Sequence, residues 1–93
     1  MKEIDYVKIF KALSDEMRLK ILQEIAKHEE ICVCKLMEKF TIAQSKLSYH
    51  LKLLLEASLI NVKSKGKWNF YSINMETLQN VLSENMIKTL FDK

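Results

Sequence analysis

The run Ser45-Lys46-Leu47-Ser48-Tyr49-His50-Leu51-Lys52-Leu53-Leu54 places apolar side chains at 47, 51 and 54, the i, i+4, i+7 spacing of one helix face. Ser45, Ser48, Tyr49 and Lys52 fall on the opposite face. A few residues on, Lys63-Ser64-Lys65-Gly66-Lys67 holds the only glycine of the chain. It lies between Ile60-Asn61-Val62-Lys63-Ser64 and Trp68-Asn69-Phe70-Tyr71-Ser72-Ile73, two alternating runs rich in β-formers that read as paired strands. The glycine supplies the positive φ that such a tip requires. A helix leading directly into a glycine-tipped hairpin leaves few folds open.

The rest of the chain is helical in pattern. Ile4, Val7, Phe10 and Leu13 give a short first helix. Ser14 is the expected N-cap of a second, with Asp15 and Glu16 suited to its first turn. Leu19, Leu22, Ile25 and Ala26 line its apolar side, and Lys27-His28 mark its end. Ile31 to Cys34 leads into a third helix through Leu36, Met37 and Phe40. Thr41 is the expected cap of the fourth, from about Ile42 to Ala57. Asn74 caps a last helix with Leu78, Val81, Leu82, Met86 or Ile87, Leu90 and Phe91 on one side. The expected fold is mainly α with a small β-hairpin, ordered ααααββα: a winged helix-turn-helix in a single domain spanning residues 1–93.

With 93 residues and 48% hydrophobic content, the chain is long enough for one small core and too apolar for disorder. No apolar run reaches the ~20 residues that cross a bilayer, and the acidic start Met1-Lys2-Glu3-Ile4-Asp5 lacks a secretory core. These features predict a cytoplasmic protein without membrane partners, whose two cysteines are thiols rather than a disulfide. The terminal helices carry apolar stripes that so small a core cannot cover, which predicts a homodimer built from the first and last helices.

Charge is concentrated where the helix and hairpin lie. From Thr41 to Ile73, five lysines face Glu56 alone, a net of +4, while the remaining residues sum to −1. A polar helix face beside a cationic hairpin suits duplex DNA, with donors and acceptors for base edges and cations for phosphates. Arg18 is the only arginine, so readout falls on Gln44, which can pair bidentately with adenine, and on Ser45, Ser48 and Tyr49. Lys46 and Lys52 reach bases or phosphates, and Lys63, Lys65 and Lys67 meet phosphates or the minor groove. An enzyme is not expected, since neither His28 nor His50 has an acidic partner pattern and no glycine-rich cradle exists.

The segment Lys11-Ala12-Leu13-Ser14-Asp15-Glu16-Met17-Arg18-Leu19-Lys20-Ile21-Leu22, the run Ser45-x-x-Ser48-x-His50-Leu51-x-x-Leu54, and Gly66-Lys67-Trp68 with Tyr71 together resemble the ArsR/SmtB family of winged-helix repressors. The resemblance covers nearly the whole chain. It implies a dimeric repressor bound to an inverted-repeat operator and released by a metal or metalloid, with no cofactor needed for DNA binding. It also implies that Arg18 is structural and that His50, within the recognition-helix signature, is a DNA-binding candidate, with packing or backbone contact as the alternative role. Ser58 stands where the family usually has a helix-ending glycine, and Glu16-Met17 replaces the commoner Pro-Thr.

Ile31-Cys32-Val33-Cys34 resembles the CVC signature of the family's arsenic, antimony, cadmium and lead sensors, which makes Cys32 and Cys34 the candidate ligands. Inside a helix, residues i and i+2 point about 200° apart, so the sulfurs converge only if Cys32 lies at or before the first turn. Soft thiolates suit As(III), Sb(III), Cu(I), Cd(II) or Zn(II). Met37 occupies the position where the resemblance implies a third arsenic ligand, and His28 is a weak candidate for an extra one. Two-sulfur capture of As(III) or Sb(III) leads. The open alternatives are buried apolar cysteines in a repressor without an effector, thiol oxidation, and a winged-helix protein-interaction module. A disulfide across a single residue closes a tight ring and is not expected.

Overall fold

The computed structural model describes residues 4–92. Its elements run α1 (Tyr6–Leu13), α2 (Glu16–Ala26), β1 (Ile31–Cys32), α3 (Val33–Phe40), α4 (Gln44–Glu56), β2 (Ile60–Lys65), β3 (Trp68–Ile73), α5 (Met75–Val81) and α6 (Glu84–Phe91). α3, a three-residue turn and α4 form the helix-turn-helix, and β2 and β3 form the wing. The winged helix-turn-helix expected from the pattern is therefore present, with one more strand and one more helix.

Helix ends follow local chemistry. Asp15, not Ser14, caps α2: its carboxylate accepts the Arg18 N–H at 3.0 Å. Ser14 closes α1 instead, its N–H and hydroxyl both donating to the Lys11 carbonyl. Thr41 likewise ends α3 rather than starting α4. It sits in the left-handed region (φ 48°, ψ 49°), and its N–H donates to the Met37 carbonyl. α4 opens after Ala43, without a side-chain cap.

The last helix is two. Leu82 is extended, and the Ser83 hydroxyl accepts the Met86 N–H at 3.1 Å, starting α6 afresh. The apolar spacing continues across this break, which is why the pattern suggested one helix.

β3 is the central strand, between β1 and β2. Ile31 pairs with Tyr71 and Cys32 with Phe70, so the cysteine segment is laced into the strand that carries the wing. Gly66 (φ 66°) and Lys67 turn the hairpin between the paired Lys65 and Trp68. The core lies where the elements meet: Ile9 from α1, Ile21, Leu22 and Ile25 from α2, Leu36 from α3, and Leu47, Leu51 and Leu54 from α4 are all buried, with Leu59, Ile60, Tyr71 and Leu78. Burying side chains of this size stabilises by about 1.5–3 kcal/mol each. The same burial fixes which face of α4 is left outside.

Candidate nucleic-acid interface and cysteine pair

With Leu47, Leu51 and Leu54 turned into the core, Gln44, Ser45, Lys46, Ser48, Tyr49 and Lys52 are all exposed. Tyr49 is 56% exposed, a large ring held out on a helix face. His50 is the exception among the expected residues. Its side chain is only 13% exposed. Its Nδ1 lies 3.2 Å from Arg18 Nη1 and 4.0 Å from an Asp15 carboxylate oxygen. Burial holds His50 below the ordinary histidine value, and Arg18 and Lys46 add to this against an opposing pull from Asp15. A guanidinium can only donate, so the neutral ring accepts at Nδ1. Arg18 also donates from Nε to the Ala12 carbonyl (2.9 Å) and from Nη2 to that of Lys11 (3.2 Å). One side chain thus ties the end of α1 to α4, the structural part implied for Arg18.

Lys63, Lys65 and Lys67 are exposed on the wing. Lys65 is held differently from the other two. Its ammonium pairs with the Glu30 carboxylate and lies 5.0 Å from the centre of the Phe70 ring.

Two lysines absent from the sequence-based list join this side of the molecule. Lys8 and Lys11 of α1 line an open cleft with Arg18, Tyr49 and Glu56. Their i, i+3 spacing is visible in the sequence, but only the packing of α1 on α4 places them beside Tyr49.

Cys32 is the N-cap of α3, with extended backbone (φ −68°, ψ 141°). Its Sγ accepts the Cys34 N–H at 3.1 Å. The two sulfurs converge, as the geometry requires of a cysteine standing before the first turn. The expectation of separate thiols is corrected: Cys32 and Cys34 are joined as a disulfide, their Cα atoms 5.2 Å apart, inside the span such bonds take. The extended cap conformation turns the Cys32 side chain toward that of Cys34, a direction that a helical i, i+2 pair lacks.

Cys32 is buried and Cys34 half-buried. Reduced to thiols, these positions offer one ion two soft donors. Among the described residues no group of three or more His, Cys, Asp or Glu stands together to hold a metal. His28 hydrogen-bonds Glu24 at 3.4 Å, although it borders the same open cleft as Cys32, and Met37 packs against the core.

Residues 15–62 match the family described as bacterial regulatory protein, arsR family. The arsenical resistance operon repressor of Bacillus subtilis is 48% identical over 81 residues, covering 87% of this chain and 77% of that protein. The arsenic resistance transcriptional regulator ArsR1 of Pseudomonas putida is 36% identical over 84 residues, covering 90% and 64%. Among solved structures, HlyU from Vibrio cholerae superposes with a TM-score of 0.76 at 27% identity, covering 95% of this chain and 92% of that one. The chain belongs to the arsR family of bacterial helix-turn-helix transcriptional regulators.

Proposed function

We propose that the protein is a cytoplasmic transcriptional repressor that binds duplex operator DNA through α4 and the wing and leaves it when the Cys32–Cys34 pair, as thiols, captures As(III) or Sb(III). The observation that carries this reading is the continuous exposed face of α4 beside a lysine-bearing hairpin, with the cysteine pair at the start of the preceding helix. The repressor names of the arsenical relatives support the effector class.

In this reading Gln44 reads adenine, Ser45, Ser48 and Tyr49 read neighbouring base edges, and Lys46 and Lys52 bind bases or phosphates. Lys63, Lys65 and Lys67 bind backbone at the wing, and Lys8 and Lys11 extend that contact along α1. His50 positions α4 through Arg18 rather than reading a base. Thiolates at Cys32 and Cys34 supply the chemistry of capture. Because Cys32 is the cap of α3, a captured ion acts on the start of the helix-turn-helix itself.

A homodimer is supported by the exposed apolar residues of α1 (Tyr6, Val7 and Phe10), by exposed Ile4 just before it, and by α6, which buries no residue fully. Two protomers then meet an inverted repeat with half-sites ~34–36 Å apart.

The test is release of labelled operator from the reduced protein, followed by fluorescence anisotropy during arsenite titration. The Cys32→Ser/Cys34→Ser protein should keep its operator affinity and lose arsenite release. Release that survives in the double variant would refute the effector assignment.

The disulfide favours a second reading, in which oxidation of the pair is itself the signal. Release by diamide but not by arsenite would select it.

A further inference from the structure

Both groups that hold Lys65 belong to the neighbourhood of Cys32. Glu30, its ion-pair partner, precedes Ile31-Cys32 directly in the chain. Phe70, whose ring lies beneath its ammonium, is the cross-strand partner of Cys32. Glu30, Cys32 and Phe70 also border one cleft. Among the described residues, Lys65 is the one wing lysine engaged in an ion pair. It is thus held by two groups fixed to the segment whose sulfurs are joined.

From this juxtaposition we infer that Glu30 is a positioning residue of the wing, withdrawing Lys65 from the DNA backbone when the sulfur pair is closed. The inference rests on the repressor reading above and adds the route by which the pair reaches DNA. Closing the pair, by ion capture or by loss of two electrons and two protons to an oxidant of the diazene or disulfide class, draws Cys32 toward Cys34. It fixes Glu30 and Phe70 beneath Lys65. In the open dithiol the segment is free of that constraint, and the lysine exchanges its carboxylate for a phosphate. The single charge of an ammonium paired with a carboxylate is already neutralised, so closed and open states differ by one neutralised phosphate per wing.

The salt dependence of binding counts such contacts, at about 0.9 unit of log–log slope for each phosphate neutralised. The experiment compares operator binding by protein reduced with dithiothreitol and by protein closed with diamide, which takes up the two electrons and two protons. Closed wild type should show a slope shallower by roughly one unit per wing. In Glu30→Gln that difference should vanish, and the closed variant should bind operator roughly two- to fivefold more tightly than closed wild type, the range of an exposed ion pair. In a Lys65→Gln background, Glu30→Gln should change nothing, a result that a general structural role for Glu30 would not give.

Closed Glu30→Gln binding no more tightly than closed wild type, or an effect persisting without Lys65, overturns the inference while leaving the repressor reading intact. Closure that leaves wild-type affinity unaltered, by diamide and by arsenite alike, removes effector release and this route together.

Discussion

Ser58 occupies the left-handed region (φ 60°) directly after Ala57, the C-cap of α4. Its N–H donates to the Leu55 carbonyl at 2.9 Å, and the Leu59 N–H donates to Leu54 at 3.0 Å. This is the paired closure usually built on glycine. Departure from the family's glycine has left the turn intact and placed the cost in the backbone. Left-handed φ costs an L-residue about 1–2 kcal/mol, while glycine costs roughly 0.5–1 kcal/mol in lost chain freedom. The first term is the larger, so Ser58→Gly should stabilise by about 0.5 kcal/mol and raise the thermal midpoint by roughly 2–4 °C. A lower midpoint would mean that the serine makes a compensating interaction. Arg18 and Ser58 could be singled out from the sequence by their places in a pattern. The inward turn of His50 could not. It sits on the border of the apolar stripe of α4, and which side it takes is decided by Arg18, 32 positions away.

Among elements, α4 and the wing were the most legible, α4 because a buried face imposes its period, and the wing because two runs of β-formers flank the single glycine. Three features were hidden for identifiable reasons. β1 has two residues, too few for alternation, and pairs with a strand about forty positions distant. Thr41 is a good helix starter by type, yet the short turn between α3 and α4 uses it as a left-handed stop. The α5–α6 break lies within an unbroken apolar spacing, and the Ser83 cap alone marks it. The proposed reading gives the exposed face of α4 and the cleft beside α1 different duties, which substitution can separate. Gln44→Ala should weaken binding to cognate operator by about 1–3 kcal/mol and leave random DNA nearly unaffected. Lys8→Gln with Lys11→Gln should weaken both alike and flatten the salt slope by about one unit per lysine. Equal losses of Gln44→Ala on the two DNAs would remove it from base readout.

Across the molecule, the apolar surface is unevenly shared. Val7 and Phe10 on α1 are 63% and 55% exposed, and Met86 on α6 is 51% exposed, while the α4 face is polar apart from Tyr49. That division predicts which side meets another protomer and which meets DNA. Phe10→Glu should give a folded monomer by sedimentation at micromolar concentration, with operator affinity lower by roughly a hundredfold once the second half-site contact is lost. A variant that remains dimeric would take α1 out of the interface. The order of the sheet carries one more consequence. β3 is paired on both sides, so β2 is left as an open edge, and Val62 on it is 45% exposed. An unguarded margin of this kind invites strand addition from other chains, and lysines are a common guard against it. Lys63 and Lys65 therefore keep the hairpin soluble as well as cationic, and exchanging them for apolar residues would bring aggregation into view before any change in regulation could be measured.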